Sequence, residues 1–265
     1  MNCIVIGDMG KGTPGQFKVA KAMKQLYQKN RIKFVVGLGD NIYPNGCTSV
    51  HDKEFIDKFE SPYSILPDDR WYMCLGNHDY GYYSADHGYK GNSTHQIEYT
   101  KHSNKWFMPS NYYSFTKGPV EFLYLDTNFD MMTDDLIQEQ LKTMKHTLDT
   151  SNKKWKIVVG HHTWRSIAGH GNADKRLEKF FHNLFKDTKP TMYMCGHDHC
   201  KSVMVKDDIT LVISGNGGED YGSTNTNLQS MHDCRLDYFS PSLGAGVLQI
   251  GRNNLTLKFF FTFLI

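Results

Sequence analysis

Seven short apolar runs punctuate this chain, and each breaks off at a glycine or a polar cluster: CIVIGD, FVVGLGD, WYMCLGNHD, EFLYLDTN, KIVVGHH, MYMCGHDH and TLVISGNGG. They are strand length, rich in β-branched and aromatic residues and without polar alternation, the pattern of strands buried on both faces. Helical patterns lie between several of them. One carries Phe17, Ala20, Met23 and Tyr27, a second Ile137, Leu141, Met144 and Leu148, a third Leu177, Phe181 and Leu184. Spacings of three and four residues put each set on one helix face. Strand, crossover helix, strand, repeated, predicts an α/β fold with parallel or mixed sheet and helices outside, in a single domain over 1–265; GAGVLQI and NLTLKFFFTFLI predict a closing hairpin. Two stretches break the alternation, an aromatic-rich 81–120 and a Gly/Asn/Ser-rich 216–242, and read as long loops that form binding edges or simply cover the surface.

With 39% hydrophobic and 13% aromatic residues in 265, there is enough apolar material for a core, which excludes a disordered chain. A net charge of +2 excludes a nucleic-acid footprint or a polybasic membrane patch, although 13 histidines would make the chain markedly more cationic in acid. No run approaches the ~20 apolar residues of a membrane span. The opening MNCIVIGD runs straight into a strand, so the expected location is cytoplasmic if the chain is complete, and secreted or lysosomal if a leader has been removed. Cys3, Cys74 and Cys195 sit in apolar runs and read as buried thiols, Cys47, Cys200 and Cys234 in loop-like sequence; all six are expected to be reduced.

The residues that follow the strands carry the chemical information. Asp8 stands in GDMG, Asp40 and Tyr43 in GDNIY, Asn77 and His78 in GNHDY, His161 in VVGHH, and His197 and His199 in GHDH. The carboxyl ends of strands in such a sheet share one edge, where ligands bind, so residues distant in sequence converge there. Alone, a Gly-Asp pair is a turn and a histidine pair is often structural. Five such motifs at successive strand ends point to a metal site.

GDMG, GDNIY, GNHD, VVGH and GHDH resemble, in order, the five blocks of the purple acid phosphatases, within the calcineurin-like metallophosphoesterase superfamily. The likeness extends to the intervening QIEYTKHSNKWFMPSNYYSF, LDT, SIAGHG and ISGNGG, as in the small, tartrate-resistant type, and covers residues 1 to about 220. Gly10 stands where many superfamily members have a histidine, Tyr43 supplies a phenolate instead, and the GDxxDRG block of the Ser/Thr phosphatases is absent. The resemblance implies a four-layer α/β/β/α sandwich with mixed sheets and a binuclear centre at the strand C-terminal ends. It further implies that one metal is held by Asp8, Asp40, Tyr43 and His199 and a second by Asp40, Asn77, His161 and His197. Two carboxylates and a phenolate suit Fe(III), while imidazoles and an amide suit a divalent ion, Fe, Zn or Mn.

The implied reaction is in-line attack of a metal-bound hydroxide on a small phosphomonoester, with His78 and His170 as the catalytic histidines and a monomer as the working form. His162 occupies a position that is usually aromatic in that family, and is read as packing or as support behind the ligands. Alternatives are a nucleotide diphosphatase or phosphodiesterase on the same centre, and a catalytically silent metal-binding protein.

Overall fold

The computed structural model describes residues 1–81, 92–219 and 231–262. The first seven strands are β1 (Asn2–Ile6), β2 (Ile32–Gly37), β3 (Trp71–Tyr72), β4 (Trp106–Phe107), β5 (Tyr113–Lys117), β6 (Val120–Tyr124) and β7 (Trp155–Val159). They are followed by β8 (Met192–Cys195), β9 (Lys201–Lys206), β10 (Ile209–Ser214), β11 (Arg235–Ser240), β12 (Gly244–Ile250) and β13 (Leu255–Phe261). The helices are α1 (Pro14–Asn30), α2 (Lys53–Phe55), α3 (Ser93–Glu98), α4 (Asp134–Thr150) and α5 (Lys175–Thr188).

Among the described residues the strands form two mixed sheets, one of six strands in the order β13-β12-β1-β2-β3-β4 and one of seven in the order β11-β9-β10-β8-β7-β6-β5. The strands β1 to β4 run parallel, with the closing β12–β13 hairpin antiparallel beside β1. In the second sheet β6, β7, β8 and β10 are parallel, and the outer pairs are antiparallel.

Alternation along the second sheet stacks the layers. Phe122, Tyr124, Ile157, Val159, Met192 and Met194 point into the core shared with Cys3, Val5, Val35 and Trp71 of the first sheet. Their neighbours Leu123, Val158, Tyr193 and Cys195 face the other way, onto α4 and α5. Val19, Ala20 and Met23 of α1 join the first core. The result is the expected four-layer α/β/β/α arrangement. The N-cap Asp174 accepts the N–H groups of Arg176 and Leu177, and α5 then buries Leu177, Phe180, Phe181, Leu184 and Phe185 on one face. Among the described residues no helix is long and apolar enough to cross a membrane.

Three details differ from the sequence reading. Phe17 is 41% exposed, and Gln16 and Val19 take the inner face of α1. Gln16 is buried because its amide donates to Lys58 O at 2.7 Å and accepts from Gly12 N–H at 2.8 Å. Cys47 and Cys200, placed in loop-like sequence, are fully buried; the cysteines are all free thiols. Much of 92–120 is regular: β4 extends the first sheet and β5 the second, while Tyr82, Tyr83 and Tyr89 lie outside the described residues. Of 216–242, residues 220–230 lie outside them too, and β11 pairs with β9.

Candidate metal centre

Asp8 follows β1, Asp40 and Tyr43 follow β2, Asn77 and His78 follow β3, His161 follows β7, and His197 and His199 follow β8. The Gly7 N–H donates to Ser214 O at 2.8 Å, which ties the end of β1 to the end of β10 and brings the carboxyl edges of both sheets together. Three of these side chains, Asp8, Asp40 and His197, leave their strands in the left-handed region, at φ 56°, 51° and 68°. Non-glycine residues in that region carry strain of roughly 1–3 kcal/mol, which is characteristic of functional sites. The glycines make room: a Cβ on Gly76 would stand 2.2 Å from Asp40 Oδ1, and one on Gly196 2.2 Å from Asp8 Oδ2.

The seven side chains meet in two overlapping groups. In the first, Tyr43 Oη lies 3.1 Å from Asp8 Oδ1, 2.8 Å from Asp40 Oδ2 and 3.2 Å from His199 Nε2, and His199 Nε2 lies 3.3 Å from Asp8 Oδ1. In the second, Asn77 Oδ1 lies 3.1 Å from both His161 Nε2 and His197 Nδ1, and His161 Nε2 lies 3.4 Å from Asp40 Oδ1. Asp40 belongs to both. Donors about 2.1 Å from one ion, at octahedral or tetrahedral angles, stand about 3.0–3.4 Å apart, so the spacing is that of coordination polyhedra. Asp8, Asp40 and His161 alone, all buried, bring a ligand atom each within 4.8 Å of one another.

Proton counting shows what the cluster lacks. Tyr43 has one hydroxyl proton for three acceptors. The His161 ring donates Nδ1–H to Leu38 O at 2.9 Å, so in the neutral ring its Nε2 lone pair faces the lone pairs of Asn77 Oδ1. Acceptors crowding acceptors in a buried pocket are stabilised by a cation, and the carbonyl behind His161 is the usual outer support of a metal-binding imidazole. The residues therefore fit a metal.

The electrostatics agree. Burial raises the Asp8 carboxyl well above its usual range, and the charge of Asp40 adds to this. Burial opposes ionisation of Asp40 too, but His161, His78 and hydrogen bonds from Tyr43 and the His78 N–H leave it below the ordinary value. Burial and then both carboxylates push the Tyr43 phenol well up, so a phenolate here requires a cation. Burial lowers His199 to about 4 and, with the neighbouring histidines, holds His197 well below its usual value, which keeps both imidazoles neutral and able to ligate.

His78 is half-buried. Its backbone N–H donates to Asp40 Oδ1 at 3.0 Å, its Nδ1–H donates to Pro44 O at 2.6 Å, and its ring lies 4.2 Å from that of Tyr43. His170 is exposed and lies on a loop, its ring stacked 4.1 Å from His197. His162 packs 4.5 Å from His197 and meets Thr127 Oγ1 through Nδ1 at 2.8 Å; burial brings its pKa to about 3. The helix residues His146 and His182 are exposed, on α4 and α5.

Four residues at the centre escaped the sequence reading. Buried Asp198, between the two histidines of GHDH, accepts the N–H groups of His170 and Gly171 at 2.8 and 3.3 Å. Buried Asp79 accepts from the backbone N–H groups of Asn41, Ile42 and Gly76 and from the Asn41 and Gln96 amides, binding the Asp40 and Asn77 turns together. Asn216 donates to His199 O at 2.6 Å. Lys11 lies on the wall of a cavity of about 360 Å³ that also exposes Asp40, Asn77, His78, His170, His197 and His199. A second cleft of about 320 Å³, floored by Phe129, Met131 and Leu177, shares Asn77, His170 and His197 with it. Position inside a quoted motif was a signal for Asp198, Asp79 and Asn216, the last in ISGNGG; Lys11 had none.

The sequence profile of the calcineurin-like phosphoesterases matches residues 1–201. Purple acid phosphatase 3 of Arabidopsis thaliana is 30% identical over 259 residues, which is 89% of this chain and 68% of that protein. Tartrate-resistant acid phosphatase type 5 of Mus musculus is 31% identical over 244 residues, 81% of this chain and 71% of that protein. Among solved structures, GAP50 of Plasmodium, described as the anchor in the inner membrane complex, superposes with a TM-score of 0.83 at 22% identity, over 99% of this chain and 84% of that one.

Proposed function

Because the chain belongs to the calcineurin-like phosphoesterases and, within them, to the purple acid phosphatases, we propose that it carries two metal ions and hydrolyses phosphomonoesters by displacement at phosphorus. That it is a metal-dependent phosphatase follows from the family. The finer reading assigns one ion to Asp8, Asp40, Tyr43 and His199 and the other to Asp40, Asn77, His161 and His197. The observation that carries it is the pair of donor groups at coordination spacing sharing the Asp40 carboxylate. Hard anionic oxygens in the first group favour Fe(III), and the imidazoles and amide of the second favour divalent Fe, Zn or Mn.

When bound, such a pair supplies Lewis acidity toward the phosphoryl oxygens and lowers the pKa of coordinated water. The remaining work falls to the chain. Asp40, fixed by the His78 backbone N–H, holds the two halves of the centre in register. His78, with Nδ1 committed to Pro44 O, lines the cavity and contacts phosphate through its Nε2 side. His170 lines both the cavity and the cleft, which suits it to protonate an oxygen leaving toward Phe129, Met131 and Leu177. Asp198 holds the loop that presents it.

The test is turnover of phenyl phosphate and of the matching phosphodiester by metal-loaded protein. Faster hydrolysis of the monoester is expected. A preference for the diester would select the phosphodiesterase reading, and loss of all turnover with metals in place would select a silent metal-binding protein.

A further inference from the structure

We infer that Lys11 grips the substrate's phosphate group and exchanges its partner Glu219 for that phosphate; the inference rests on the phosphatase reading above. Position 10 cannot carry a side chain, since a Cβ there would stand 1.6 Å from Asn41 O. Met9 is wholly buried. Lys11 is thus the first side chain after Asp8 that reaches the metal cavity, and its ammonium comes to 4.0 Å from the centre of the Tyr43 ring. Among the described residues lining that cavity it is the one lysine or arginine.

Its pairing is lopsided. The Lys11 side chain is 12% exposed, whereas Glu219, 3.5 Å away, is 43% exposed. A separation of 3.5 Å exceeds the roughly 2.7–2.9 Å of a direct charge-assisted hydrogen bond. A partly solvated carboxylate at that distance holds the ammonium weakly. Once metals balance the charges of Asp8, Asp40 and Tyr43, the ammonium over Tyr43 faces the cavity as a site for a tetrahedral dianion, which carries more charge than Glu219 and approaches without a protein backbone to restrain it. The chemistry recognised is a phosphate dianion, free or as a monoester.

The experiment is calorimetric titration of inorganic phosphate into metal-loaded protein, with metal content matched across wild type, Lys11→Met, Lys11→Arg and Glu219→Gln. Loss of a charge-assisted contact is expected to weaken phosphate binding by about 10- to 100-fold in Lys11→Met. Lys11→Arg should retain most of the affinity. Glu219→Gln removes the competitor and should tighten binding by about two- to fivefold, the value of a surface ion pair. A purely structural ion pair predicts shifts of the same sign in Lys11→Met and Glu219→Gln, so opposite signs support the proposal and equal signs overturn it. Binding within twofold of wild type in Lys11→Met also overturns it, as does a wild type that binds no phosphate. Absence of turnover in wild type would count against the phosphatase reading alone, because the calorimetry still decides the role of Lys11.

Discussion

Replacing Asp79 by asparagine changes one atom in a residue that touches no proposed ligand atom, yet the structure makes it costly. One carboxylate oxygen accepts from Ile42 N–H at 3.1 Å and the Gln96 amide at 2.8 Å; the other accepts from Gly76 N–H at 2.8 Å and the Asn41 amide at 3.0 Å. The Asn41 backbone N–H is shared between the two oxygens at 3.0 and 3.1 Å. Every partner is a donor. Whichever way an asparagine amide turns, its NH₂ faces two buried donors that lose their acceptor. At about 1–3 kcal/mol per orphaned group, the expected loss is about 2–6 kcal/mol. For a domain of this size that corresponds to a fall in melting temperature of roughly 5–20 °C. Burial and then the Asp40 charge raise the Asp79 carboxyl to about 7, so the assay is urea denaturation at about pH 8.5, where the carboxylate form prevails. Metal content is measured on the same samples, because the bonds that fail also hold the Asp40 and Asn77 turns together. An Asp79→Asn protein with unaltered unfolding midpoint and full metal content would refute the reasoning.

Tyr43→Phe should abolish the visible charge-transfer band of the iron-loaded protein, since the phenolate is its source, and an unchanged spectrum would remove Tyr43 from the ligand set. His170→Asn should slow an alkyl phosphate more than an aryl phosphate, by about 10²–10⁴-fold for lost general acid catalysis, while His78→Asn should affect both alike through binding; steady-state kinetics on the two esters separates the roles. Asp233 is held well below the usual carboxylate range by hydrogen bonds from Arg165, which burial opposes and Lys206 reinforces. A depressed folded pKa means stability present above the unfolded value of about 3.9 and lost as pH falls through the folded one. Asp233→Asn is therefore expected to cost about 1–3 kcal/mol at pH 5 to 7, with the gap to wild type closing below about pH 4 in pH-dependent urea melts.

The strand ends were legible because their signals are local: a glycine that lets Asp40 or Asp8 approach a neighbouring turn, then a ligand-type side chain, repeated after β1, β2, β3, β7 and β8. The helix α4 was legible for the same reason, with Ile137, Met144 and Leu148 buried as their spacing requires. Local pattern fails where polar groups are satisfied by distant ones. Gln16 displaced Phe17 from the inner face of α1 because Lys58 O, far along the chain, accepts its amide proton. The strand β4 has two residues, too few to show a period, and is fixed by pairing Trp106 with Trp71. Lys11 acquires its place at the centre only when the end of β1, the turn after β2 and the two sheets are assembled, and no spacing in the sequence records that.

The count of metal atoms per chain bears most directly on the central claim. Protein reconstituted with iron and zinc, desalted and analysed by mass spectrometry, is expected to hold two metal atoms per chain, and Asp40→Asn, which removes the anion shared by both donor groups, one or fewer. A wild type that holds fewer than two, or an Asp40→Asn protein that keeps both, would contradict the two-metal account.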